Sequence, residues 1–156
     1  SGAQRQGGTM VAPNSVGVQR CINTAIEQSG VEPKDIDLIS GHLTGTMADY
    51  LEVKNWKEVL GLTDQDFPYI NAPKSMIGHS LGAAGSIELV ACCLQMEHNF
   101  IHPTLNAEPV HPKIAELIPL EKIPSGGAID KEINIIAKTS FAFGDTNSCI
   151  ILKKTS

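Results

Sequence analysis

Apolar and polar positions along this chain switch between a helical period and short strand-like runs. Val16, Cys21, Ile22, Ala25 and Ile26 recur at helical spacing behind Asn14 and Ser15, either of which suits an N-cap. Gly30 fits the left-handed residue that ends such a helix. Ile36 to Ser40 (IDLIS) is short, branched and apolar, the pattern of a buried strand. A second helix is predicted from an Asp49 cap to Leu60, with Leu51, Trp56, Val59 and Leu60 inward and Gly61 as its stop. Phe67 to Asn71 reads as another strand. Ser80 to Met96 is apolar nearly all round, with small residues in its first turns, so it predicts a helix covered on every side that admits a close backbone neighbour. Prolines at 103, 109 and 112 mark an irregular stretch. Strands at Glu132 to Lys138 and Asn147 to Lys153 close the pattern, with TSFAFGDT between them as a loop. Helices and strands alternate first and an antiparallel pair comes last, which predicts an α/β fold with helices layered on a mixed sheet.

The opening residues AQRQGGTMVAPN read as loop, and no repeat or internal boundary interrupts the chain, so residues 1–156 form one domain. At 42% apolar and 19% charged residues, the composition is that of a folded domain rather than a disordered one. No apolar run reaches the roughly 18 residues that span a bilayer, and SGAQRQGGTM has no signal-peptide pattern. The net charge of −5 and the absence of a basic cluster beyond Lys153-Lys154 argue against nucleic-acid binding. Cys21, Cys92, Cys93 and Cys149 form no C-x-x-C pair and are read as reduced, apolar packing residues of a cytoplasmic protein. His42, His79, His98, His102 and His111 are not read as a ligand set, so no metal is expected.

Three loops concentrate the candidate chemistry. Ser40-Gly41-His42-Leu43-Thr44-Gly45-Thr46 follows the IDLIS strand, where ligands collect in open α/β sheets. Lys74-Ser75-Met76-Ile77-Gly78-His79 stands at the mouth of the apolar helix, and Phe141-Ala142-Phe143-Gly144-Asp145 lies between the last strands. Together they resemble the C-terminal half of a β-ketoacyl synthase, the condensing branch of the thiolase fold. That family carries H-G-T-x-T, K-S-x-x-G-H-x-x-G-A-A-G and S-F-G-F-G-G-x-N. Here they read His42 to Thr46, Lys74 to Gly85 and Ser140 to Asn147, in the same order and spacing.

The resemblance implies the C-terminal half of the thiolase fold, with a mixed five-stranded-type sheet. It also implies decarboxylative condensation of an acyl thioester with malonyl-acyl carrier protein, in fatty acid or polyketide synthesis, with no cofactor. By motif position His42 and His79 are the two histidines that assist decarboxylation and hold the thioester carbonyl as negative charge develops. Lys74 matches the family lysine and Glu88 its glutamate partner, a structural support. Phe143 matches the gating phenylalanine whose N–H is an oxyanion donor. Thr44, Thr46 and Phe141 join Phe143 as substrate-binding positions. His42 and His79 are expected on neighbouring loops, with Phe143 near both and Lys74 reaching Glu88.

Several positions depart from the pattern. The family's nucleophilic cysteine lies in an N-terminal half outside this sequence. Leu43 and Met47 stand for Gly and Pro, and one residue is missing before Asp49. Ala142 and Asp145 stand for loop glycines, and Asp145 brings a negative charge toward the site. A noncatalytic partner subunit of the chain-length-factor kind is therefore the alternative. The expected partners are acyl carrier protein, the N-terminal ketosynthase half and a second copy of the chain, docking on the apolar surface around Ser80 to Met96.

Overall fold

A computed structural model describes residues 14–155; the expected opening loop lies, but for Asn14, outside the described residues. Helix α1 spans Ser15–Ser29. The side chain of Asn14 caps it by accepting from the Val16 N–H at 3.0 Å, and Gly30 ends it at a φ of 66°. Its buried stripe is Val18, Ile22 and Ile26, while Val16, expected inward, is exposed in the first turn. Helix α2 spans Asp49–Leu60 and stops at Gly61, whose φ is 60°. It buries Val53, Trp56 and Leu60. Asp49 is not its cap: Ala48 holds that position, and the Asp49 carboxylate turns back to the preceding loop.

The strands are β1 (Leu38–Ser40), β2 (Tyr69–Asn71), β3 (Phe100–Ile101), β4 (Ile129–Asp130), β5 (Ile135–Ala142) and β6 (Thr146–Lys153). Four of them form one mixed sheet in the order β2-β1-β5-β6. β1 runs parallel to both β2 and β5, and β5 pairs antiparallel with β6. β3 and β4 make a separate antiparallel pair. The expected mixed sheet is therefore present with four strands among the described residues rather than five. The TSFAFGDT segment is not a loop throughout. Pairing continues to Ala142 opposite Thr146, because its β-branched and aromatic residues extend the ladder, and Phe143 to Asp145 alone make the turn.

Alternation along the short strands assigns the two faces of the sheet. Ile39, Ile70 and Ala137 pack with α1 and α2 around Trp56 and Phe67. Leu38 and Ile136 point the other way, to Cys92 and Met96. Those two belong to α4, Ala84–His98, so the molecule has three layers with the sheet in the middle.

The helix expected from Ser80 begins late: a 3₁₀ turn covers Leu81–Ala83 and α4 starts at Ala84. In the loop before it a helical turn, α3, spans Lys74–Ile77, and Gly78 leaves it at a φ of 73°. Another helical turn, α5, lies at Pro112–Ala115 in the proline-marked stretch. In this chain α4 is not covered on all sides. Leu81, Ile87, Val90 and Leu94 are exposed, by 69%, 41%, 60% and 48%, and Cys93 is exposed with them rather than packed. Of the small residues, Ala84 is buried, Gly82 faces open space, and a Cβ at Gly85 would meet only the Ser140 hydroxyl at 3.6 Å. No helix among the described residues is long and apolar enough to cross a membrane.

Candidate functional site

The loop after β1 is held by two carboxylates from the start of α2. Glu52, buried beneath it, accepts the His42 N–H at 2.8 Å on Oε1 and the Leu43 N–H at 2.9 Å on Oε2. The Thr139 hydroxyl of β5 donates to Oε1 at 2.7 Å. Burial pushes the Glu52 carboxyl above its ordinary pKa, against the pull of those three donors. Asp49 accepts the N–H groups of Thr44 at 3.0 Å and Gly45 at 2.9 Å. These bonds satisfy backbone donors that the turn cannot pair within itself.

The second loop brings His79 to His42. Their ring centroids are 5.3 Å apart and the planes cross at 81°, edge to face. The Leu81 N–H donates to His79 Nδ1 at 3.1 Å. A neutral His79 therefore carries its proton on Nε2, as a hydrogen-bond donor. Phe141 covers His42 from β5, with centroids 5.6 Å apart. The aromatic contact with His42 is thus made by Phe141, whereas Phe143, expected near both imidazoles, stands 64% exposed at the hairpin tip. Burial is the main cause that holds the His42 pKa down to about 4, helped by Lys74, His79 and Lys138 and opposed by Glu88. His42 is therefore a neutral imidazole at pH 7.

Beneath the imidazoles lies a buried charge cluster. Lys74 meets Glu88 Oε1 at 2.6 Å, the pair expected from the sequence, and Lys138 of β5 meets Glu88 Oε2 at 2.6 Å. Lys138 also donates to the Ser140 hydroxyl at 3.0 Å and to the Thr139 carbonyl. Burial lowers the Lys74 pKa, while Glu88 raises it. A cavity of about 760 Å³ opens in front of Lys74 and His79. Thr44 and Thr46 line it, their hydroxyls 3.1 Å apart, and Leu43, Met47, Val110 and Ile114 give it an apolar side.

Asp145 does not face this site. Its Oδ1 accepts the Asn14 N–H at 3.2 Å and Asn147 Nδ2 at 2.9 Å, at the start of α1, and it is not among the charges acting on His42. A φ of 57° puts Asp145 in the left-handed region, which aspartate tolerates. Cys92 and Cys149 lie in apolar surroundings that push their thiols up to about 11 and about 12, so neither is a nucleophile at neutral pH. No cluster of three or more His, Cys, Asp or Glu that could hold a metal exists among the described residues.

Sequence reasoning missed Glu52 and Lys138. The signals were there: a second acid one helical turn after Asp49, and a lone lysine ending the apolar run EINIIAK.

The family model described as "Beta-ketoacyl synthase, C-terminal domain" matches residues 1–108. The chain is 36% identical over 154 residues to 3-oxoacyl-[acyl-carrier-protein] synthase 1 of Escherichia coli K12, covering 98% of this chain and 35% of that protein. It is also 36% identical over 146 residues to 3-oxoacyl-[acyl-carrier-protein] synthase 2 of Rhizobium meliloti, covering 94% of this chain and 33% of that one. Among solved structures, the ishigamide ketosynthase/chain length factor superposes with a TM-score of 0.86 at 35% identity, over 96% of this chain and 35% of its own. A β-ketoacyl synthase from Burkholderia phymatum gives a TM-score of 0.84 at 27% identity, over 98% of this chain and 36% of its own. The chain spans about a third of the length of the relatives it matches.

Proposed function

For a chain that belongs to the β-ketoacyl synthase family, as its C-terminal domain of thiolase fold, we propose that it supplies the two histidines of a decarboxylative condensation. The substrates in this reading are an acyl thioester and malonyl-acyl carrier protein, in fatty acid or polyketide synthesis. The observation that carries it is the meeting of His42 with His79 at 5.3 Å, where His79 lines a cavity. Two imidazoles so close can direct N–H groups at one thioester oxygen. Loss of carbon dioxide from the malonyl unit moves an electron pair onto that oxygen as an enolate. Donors already in place stabilise the charge as it forms, with no reorganisation at the moment of reaction. A His42 that stays neutral supports the reading, because an imidazolium would attract ground-state carboxylate as well as the enolate.

In this reading the Thr44 and Thr46 hydroxyls hold the amide groups of the incoming thioester arm, Phe141 shields His42 from water, and the Phe143 N–H serves as oxyanion donor. Lys74 and Glu88 support the two loops from below. The acyl chain is carried by a cysteine of an N-terminal half, which docks on the exposed apolar face of α4; a second copy of the chain is the other occupant of that face. One solved relative, of TM-score 0.82 and 30% identity, is a type II polyketide synthase acyl-carrier protein in complex with its ketosynthase. That complex supports acyl carrier protein as the substrate carrier here.

The test is carbon dioxide release from malonyl-acyl carrier protein by the chain assembled with its N-terminal half. His42→Ala and His79→Ala should each slow release about a hundredfold or more. Unchanged release in both would overturn the reading.

The second reading, a chain-length-factor-like subunit, draws on Leu43. Its side chain takes the place of a glycine next to His42 and enters the cavity wall. The residue at the elbow of the N-terminal half separates the two: cysteine supports the condensing enzyme, and any residue without a thiol supports the noncatalytic subunit.

A further inference from the structure

Three buried ionic groups meet below the imidazoles, and their arithmetic is unequal. Glu88 is one carboxylate between two ammonium groups, each at 2.6 Å. All three side chains are at least nine-tenths buried. Lys138 is saturated: its three protons go to Glu88 Oε2, the Thr139 carbonyl and the Ser140 hydroxyl. Lys74 is not saturated. Among the described residues it meets Glu88 Oε1 alone, which leaves two protons without an acceptor, and it lies in the wall of the cavity beside His79. The other buried acid, Glu52, spends its oxygens on the N–H groups of His42 and Leu43 and on the Thr139 hydroxyl, none of them charged, and acts on the two lysines only through space.

We propose that Lys138 is a positioning residue of this site: it occupies the second oxygen of Glu88, so that the shared carboxylate no longer neutralises Lys74, whose ammonium then stands as an uncompensated positive charge at the cavity wall beside both imidazoles. The consequence is a site tuned for an anion. A carboxylate-bearing thioester is drawn to Lys74, and the same charge discourages protonation of the imidazoles that must donate to its enolate. The pair Lys74–Glu88 by itself would be nearly neutral. The inference rests on the ketosynthase reading for the identity of the anion and needs no turnover for its test.

His42 is the reporter. The groups acting on it are Lys74 from α3, His79 from the following loop, Glu88 from α4 and Lys138 from β5, with Glu52 of α2 on its backbone N–H. The experiment follows the His42 ring resonances of the full chain against pH, assigned with His42→Gln. Lys138→Met should raise the His42 midpoint by about one pH unit or more, the effect of removing one charge within about 12 Å at an effective dielectric constant of about 20. Glu88→Gln should move it the opposite way, below the wild-type midpoint. Lys138→Gln, which keeps a polar head for Ser140, serves if the Met variant does not fold. Opposite movements establish the charge-sharing role. A midpoint that stays put or falls when Lys138 is replaced overturns it. So do two midpoints that rise together, since loosened packing alone would carry both toward the ordinary histidine value. Malonyl decarboxylation can fail in the parallel assay while this result stands, which separates the inference from the reading beneath it.

Discussion

Glu52 anchors the His42 loop more than any residue of the loop itself. Its three bonds satisfy two buried N–H groups and one hydroxyl, so Glu52→Ala should strip partners from all three. The expected loss is about 3 kcal/mol, measured by urea unfolding, since each orphaned buried donor costs roughly 1 kcal/mol or more. His42 gives the pH dependence. Its folded pKa of about 4 lies below the ordinary 6.5, so the unfolded chain binds the extra proton first. Stability is therefore intact above about 6.5 and declines as pH falls from there towards about 4; urea midpoints across that range should fall in step. His42, His79, Lys74 and Glu88 were legible because they sit in motifs whose order and spacing are shared with a known family. Glu52 and Lys138 were not, because a charged residue in a sequence reads as solvated. Only tertiary partners, such as Thr139, 87 positions from Glu52 in the chain, make its burial tolerable.

At the scale of elements, the helices whose signals are local were the easiest to read. α1 and α2 carry a stripe and a left-handed glycine stop, and both end where the sequence says. Asn14→Ala should cost α1 about 1 kcal/mol, and Gly61→Ala, forced to a φ of 60°, about 1 kcal/mol at the end of α2, both seen as lowered urea midpoints. The segment from Ser80 to Met96 was harder. Its apolar composition suggested one continuous helix, but Leu81 at a φ of 48° and a 3₁₀ turn delay α4 to Ala84. The loop before it was legible, and Gly78 at positive φ is where that loop turns ahead of His79. The all-round apolar character of α4 was legible, yet composition cannot distinguish a face covered by this chain from one covered by another.

On the scale of the whole molecule, that uncovered face governs behaviour in solution. Leu81, Ile87, Val90 and Leu94 form an apolar side where a soluble monomer rarely keeps one. The chain alone should sediment as a dimer at micromolar concentration, and Val90→Lys with Leu94→Glu should return it to a monomer with its fold intact. A wild-type monomer that binds no apolar dye would refute this. The strand order has a different consequence, in time rather than space. β1, at the heart of the sheet, is three residues long and lies between β2 and β5. The link to β5 spans 98 positions, fixed by the Asp37 carboxylate on the Ile135 N–H. During synthesis from the N-terminus, α1, β1, α2, β2 and α4 all emerge before their central neighbour exists. A nascent chain stalled short of β5 holds its helices against a two-stranded sheet that ends at β1, so closure waits for the last strands and chaperones meet an exposed core until then.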